Sequence, residues 1–313
     1  MLQGKTALVT GGAGFIGSHL VDRLLALDYR VVVIDNLSTG KPENLNPAAV
    51  FHHADITHPT VADIVHSEQP DVIFHLAAQI SVSNSTKDPL KDSEINVLGT
   101  LRLLGAARTC GAGKVIYSCT GGALYGEPET NPCTEDHPIR PMSPYGISKY
   151  VGELQLELYR RLYDLNYTSL RYGNVYGPRQ DPHGEAGVVA IFSQAMLEGK
   201  ETHIFGDGDQ TKDFIYVDDV VEANICAIGS GGGGAFNIGT GQKTSVNTIF
   251  RSLRGFTCYS LEPVFGPVRA GDVYQIYLDA SKAARELGWA SRVSLEDGLS
   301  RTVEYFRRAS KAK

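Results

Sequence analysis

The chain has 313 residues, 42% hydrophobic and 20% charged, which is enough apolar material for one large domain or two smaller ones. A net charge of −6 and a pI near 5.9, without a clustered run of Lys or Arg, argue against a nucleic-acid surface and leave a small molecule as the expected partner. The five cysteines (Cys110, Cys119, Cys133, Cys226, Cys258) form no C-x-x-C pair, so no zinc site and no disulfide framework is expected.

The start, MLQGKTALVTGGAGF, enters a strand and a glycine turn directly, and no apolar run approaches about eighteen residues. A cytoplasmic location with reduced thiols, and no membrane partner, are the expectations. To about residue 177, short β-branched runs alternate with helical stretches, the pattern of a doubly wound α/β fold with a parallel sheet. The expected strands are TALVT (6–10), RVVVID (30–35), VFHHAD (50–55), DVIFHLAA (71–78), KVIYSCT (114–120) and TSLRYGNVYG (168–177). Several are apolar on both faces, as a sheet covered by helices on two sides requires.

Between the first strand and its helix lies G-x-G-x-x-G at Gly12, Gly14 and Gly17. Small residues at such a turn let the backbone approach a pyrophosphate, whose charge is met by the helix N-terminus. Asp35 ends the next strand 18 residues after Gly17, where a carboxylate accepts both ribose hydroxyls of an adenosine and repels a 2′-phosphate. The expected cofactor is therefore NAD rather than NADP. Asp55 ends the third strand and either holds the adenine or caps the next helix. Ala77 and Ala78 end the fourth, small enough for backbone to lie against the cofactor, or for close packing alone.

Further on, SPYGISKY places Tyr145 and Lys149 four residues apart on one face of an expected helix over 145–164. An ammonium beside a phenol stabilises phenolate, so the tyrosine could act as a base. The end of the fifth strand, YSCTGG, offers two hydroxyls, Ser118 and Thr120. Past Gly177-Pro178 the pattern loosens into a smaller α+β region over 178–313, and Gly229–Gly234 reads as a surface loop.

Taken together, TGGAGFIG, HLAAQIS, INVLGT, SCTGGALYGE, YGISK, RYGNVYGPRQ, GDGDQTKDFIYVDD and FNIGTG resemble the extended short-chain dehydrogenase/reductase family in its nucleotide-sugar 4-epimerase branch. The resemblance implies a Rossmann-type NAD domain over 1–177 and a cap over 178–313 that mainly binds the nucleotide sugar. It also implies that Tyr145 takes the sugar 4-hydroxyl proton through Thr120, while hydride passes from C4 to the nicotinamide and returns to the other face. Lys149 would hold the nicotinamide ribose.

To the cofactor site the resemblance adds Gly11, Phe15 and Ile16 in the turn, Asn36 and Ile56 beyond the second and third strands, and Leu76, Gln79, Asn96 and Tyr172. To the substrate site it assigns Ser81, Thr120, Asn174 and Val188, with Lys212 and Arg269 on the diphosphate, Asp272 near the ribose and Ile276 at the sugar. Lys212 stands where the family usually has Arg, and Ala270 where it has Pro. Gly121 and Gly122 replace the Asp-Glu pair of the dehydratases, which favours oxidation and re-reduction of a UDP-hexose (UDP-glucose/UDP-galactose). UDP-GlcNAc and UDP-glucuronate epimerases, a net dehydrogenase and a non-catalytic NAD-binding protein are the alternatives. Helices at 89–108 and 145–164 carry the apolar periodicity that this family uses for a four-helix homodimer interface, a periodicity that intramolecular packing also produces.

Overall fold

Runs that are apolar on both faces must be covered on both, and the first six strands show how this chain does so. In a computed structural model, which describes residues 4–183, 187–268 and 273–311, these are β1 (Thr6–Thr10), β2 (Arg30–Asp35), β3 (Val50–His53), β4 (Val72–His75), β5 (Lys114–Thr120) and β6 (Tyr167–Tyr172). Beyond Gly173 the chain leaves this sheet: β7 (Asn174–Tyr176) pairs with β10 (Phe214–Tyr216), β8 (His203–Phe205) with β13 (Val264–Gly266), and β9 (Thr211–Lys212) with β12 (Thr244–Ser245). It then returns as β11 (Gly234–Ile238). Among the described residues the main sheet has seven strands, β3-β2-β1-β4-β5-β6-β11, with every neighbouring pair parallel.

One face is covered by α1 (Phe15–Ala26), and the other by α2 (Thr60–Glu68) and by a run of short helices over 82–110. That run comprises α3 (Val82–Lys87), α4 (Pro89–Ser93), a π-helical turn (Glu94–Gly99) and α5 (Thr100–Cys110), and α6 (Pro144–Tyr163) packs beside it. A third apolar layer forms where α7 (Val188–Leu197), α9 (Val246–Thr257) and α11 (Leu295–Lys311) close over β7 and β10 through Phe192, Phe250, Leu253 and Val303. Between them in sequence, α8 (Val217–Gly229) and α10 (Ser281–Leu287) pack back on the main sheet beside α1.

Two features differ from the sequence expectation. The strand expected over 168–177 is two strands, because after Tyr172 the amide of Gly173 bonds Ile238 O and that of Asn174 bonds Asp213 O, which turns the chain toward β10. The region beyond residue 177 also gives α8 and β11 to the main sheet, so the chain crosses that point twice. The Gly229–Gly234 stretch joins these two elements, and it is stitched down by Thr168 Oγ1 donating to Gly231 O at 2.7 Å and Lys114 Nζ donating to Ser230 O at 2.5 Å.

Candidate active site

The strand order reverses between β1 and β4, and there the carboxyl ends of the strands open into a cleft of about 500 Å³. Gly11, Gly14 and Gly17 form its floor at the start of α1. Gly11 has φ +74° and lies against the Ala77 backbone, while a Cβ on Gly17 would fall on the Gly11 carbonyl. The helix begins at Gly14 without a side-chain cap, so its first amides are left facing the cleft. Asp35 closes the far end: its Oδ2 accepts from Ala13 N at 2.9 Å and its Oδ1 from Leu37 N at 2.8 Å.

Asp55 lines the cleft and also holds its own turn, accepting from the Thr57 amide at 2.8 Å and from Asn36 Nδ2 at 2.7 Å. Burial pushes its pKa upward, but these hydrogen bonds together outweigh burial and hold the carboxyl below its ordinary range. Phe15, Ile16, Asn36, Ile56, Leu76, Ala77, Ala78, Gln79 and Tyr172 all line the same cleft. Asn96 does not: it is buried behind Gln79, accepting from the Gln79 amide at 2.9 Å and donating to Ser148 Oγ at 3.1 Å. A glycine cradle, an uncapped helix N-terminus and an acid at the adenosine end fit NAD.

Tyr145, Lys149 and Thr120 meet at the middle of the cleft. Ser143 caps α6, its hydroxyl accepting from Gly146 N at 3.2 Å, and Pro144 opens the first turn, so the cap lies two residues before the tyrosine. Thr120 ends β5, and its side chain hydrogen-bonds Tyr145. Ser118 on the same strand bonds Tyr172 instead, so of the two hydroxyls it is Thr120 that meets the phenol. Burial pushes the Tyr145 phenol well above its ordinary range, with Thr120 pulling it down. Lys149 lines the same cleft one helical turn further along α6. The same burial lowers Lys149 to about 8.

The substrate side agrees less well with the sequence reading. Ser81 lines the cleft and caps α3, accepting from Asn84 N at 2.9 Å. Asn174 lies beside Gly122, which is itself within reach of Thr120. Val188 opens α7 and packs on the third apolar layer. Lys212 Nζ donates to the Val273 carbonyl. Ile276 is 1% exposed and packs in a cluster with Tyr125, Cys133, Val273 and Leu278. Arg269 and Asp272 lie outside the described residues.

Three buried polar groups that organise the site escape the sequence reading. Asp213, next to Lys212, accepts from Thr240 N (2.8 Å), Gly241 N (3.1 Å) and Leu278 N (3.1 Å), tying these segments around β10. Arg171 forks onto Glu153 at 2.9 and 2.7 Å and reaches Tyr125, joining α6 to β6 one turn beyond Lys149. His75 bridges Thr10 (2.8 Å) and Thr100 (2.9 Å), its pKa lowered to about 3 by burial and by Lys149. The only sequence signal for these is a charged or polar residue inside an otherwise apolar run, which does not reveal its partner.

Comparison with known proteins gives the family and several relatives of high identity. Residues 7–239 match the model of the NAD dependent epimerase/dehydratase family. A UDP-glucose 4-epimerase of Mycolicibacterium smegmatis is 50% identical over 309 residues, covering 97% of this chain and 99% of that one. The crystal structure of UDP-glucose 4-epimerase with UDP-glucose from Thermotoga maritima superposes with a TM-score of 0.96 at 52% identity, covering 97% and 99% of the two chains. That of the Thermus thermophilus UDP-glucose 4-epimerase in complex with NAD superposes with a TM-score of 0.93 at 42% identity, over the same shares.

Proposed function

This chain belongs to the NAD dependent epimerase/dehydratase family, and we propose that it is an NAD-dependent UDP-glucose 4-epimerase that interconverts UDP-glucose and UDP-galactose. The observation that carries this reading is the hydrogen-bonded Thr120 and Tyr145 pair beside Lys149, set in the cleft whose floor is the glycine cradle. The residues that would hold NAD are the turn at Gly11, Gly14 and Gly17, Asp35 at the adenosine ribose, and Lys149 at the nicotinamide ribose. When bound, NAD supplies the redox half of the cycle, oxidising the sugar at C4 and reducing it again, so no net oxidation results.

The chain's own residues handle the proton. Thr120 holds the sugar 4-hydroxyl and passes its proton to Tyr145, which gives it back when the opposite configuration forms. Burial raises the Tyr145 phenol's pKa and Thr120 lowers it, so positive charge brought beside the phenol would favour its acting as a base. Gly121 and Gly122 follow Thr120, so these two positions carry no acid that could expel water from C5 or C6. Asn174, beside Gly122, would receive the diphosphate together with the cations Lys212 and Arg269; residues 178–313 thus mainly supply the nucleotide-sugar side.

A homodimer is supported by a stripe of exposed apolar residues on α6, Ile147, Leu154, Leu158 and Leu162, beside Leu98 of the π-helical turn. Among the described residues no helix is long and apolar enough to cross a membrane, and five free cysteines support the cytoplasm as the location. The decisive test is incubation of the purified protein with UDP-galactose, UDP-GlcNAc and UDP-glucuronate separately, with the C4 configuration followed by NMR. Conversion of UDP-galactose to UDP-glucose is expected without stoichiometric consumption of NAD. No conversion with NAD supplied would overturn the assignment.

A further inference from the structure

A buried ammonium needs a reason to stay charged and in place. Lys149 is 4% exposed, so the protein has removed most of the water that would stabilise its charge. Its Nζ sits over the ring of Tyr117, 4.5 Å from the centroid. Tyr117 is itself fully buried on β5, and its hydroxyl donates to the Lys149 carbonyl at 3.4 Å, so the ring is fastened to the residue whose ammonium it faces.

The helix makes room for that ring. At Gly152, three residues past Lys149, a Cβ would fall on the Tyr117 hydroxyl and Cζ. Beside the ring stands His75, 5.6 Å away between centroids and pinned between Thr10 and Thr100. With its pKa lowered to about 3, His75 is neutral there and brings no competing cation.

We infer that Tyr117 is a positioning residue of the proposed reaction, the face of its ring holding the Lys149 ammonium charged and aimed into the cleft. This rests on the role proposed for Lys149 at the nicotinamide ribose. The negative face of an aromatic ring attracts a cation, and does so more strongly where water is excluded. The other titratable groups facing Lys149 are Asp92 on α4, Cys119 on β5, Glu153 and Tyr145 on α6, and His75 on β4. Asp92 and Glu153 supply negative charge, but each is engaged elsewhere, Asp92 by Gln79 and Asn96, and Glu153 by Arg171. Burial keeps the Cys119 thiol and the Tyr145 phenol protonated, so neither offers an anion.

The test compares kcat against pH for wild type, Tyr117→Phe, Tyr117→Leu and Gly152→Ala, with thermal melting to establish that each is folded. An ammonium without its ring loses its proton at lower pH, so the alkaline limb of kcat should move down in Tyr117→Leu, with kcat reduced about tenfold. Tyr117→Phe keeps the ring and should keep both the limb and most of the rate. Gly152→Ala pushes the ring aside and should reproduce the shift; it decides the matter if Tyr117→Leu does not fold. A loss of kcat with the limb unmoved in the folded variants, or no loss, overturns the inference. Should wild type itself fail to epimerise, it is the functional reading that falls.

Discussion

Asp35 at the end of β2 accepts from the backbone amide of Ala13 at 2.9 Å, so the acid proposed to select the cofactor also fastens the glycine turn proposed to cradle it. The same carboxylate takes the Leu37 amide on its other oxygen. Replacing it by alanine removes a charge-assisted bond at both the turn and the ribose. NAD binding should weaken about ten- to a hundredfold, and discrimination against NADP should relax. Fluorescence titration with each dinucleotide measures both effects.

Tyr145→Phe deletes the hydroxyl that meets Thr120 and leaves the ring's packing in place. The rate should fall by about 10²–10⁴-fold, with the melting temperature and NAD affinity retained. A coupled assay for UDP-glucose formation, run beside thermal melting, separates lost chemistry from lost structure.

Gly17 faces the Gly11 carbonyl across the turn, with no space for a methyl group. Gly17→Ala forces the turn backbone apart and should destabilise the fold by about 1–3 kcal/mol. Urea unfolding gives the stability change. Added NAD should recover less of it than it does in wild type.

The ion pair between Glu153 and Arg171 is closed on both sides, with side chains only 8% and 6% exposed. Glu153→Ala leaves a buried guanidinium with its main counter-charge gone and should cost about 3–5 kcal/mol in urea unfolding. A double variant with both residues made apolar should recover part of that loss.

Leu158 stands in the middle of the exposed stripe on α6, away from the residues that line the cleft. Leu158→Arg should shift the mass measured by sedimentation from that of a dimer to that of a monomer.

Much of the cofactor half was legible because its signals are local. TALVT, GGAGFIG and RVVVID carry strand, turn and strand in close succession, and Asp35 closes the pattern at a fixed distance. Tyr145 and Lys149 were legible for the same reason, since helical spacing alone puts them on one face. The substrate half was less so: the resemblance put Ile276 at the sugar, and its burial against Tyr125 and Cys133 comes from a segment about 140 residues away in the chain. Nothing within its own segment records that contact.

What this sequence determined by itself is the set of elements and the chemistry they offer: alternating strands and helices, a glycine turn, an acid, a phenol and an ammonium. These arise from short-range periodicity and backbone sterics, which act within a few residues. The tertiary structure decided which hydroxyl meets the phenol, that β11 returns across the boundary to finish the sheet, and that a tyrosine ring lies beneath the lysine. Each depends on groups far apart in the chain being buried together, where the loss of water makes their contacts with one another stronger than any contact within a single segment.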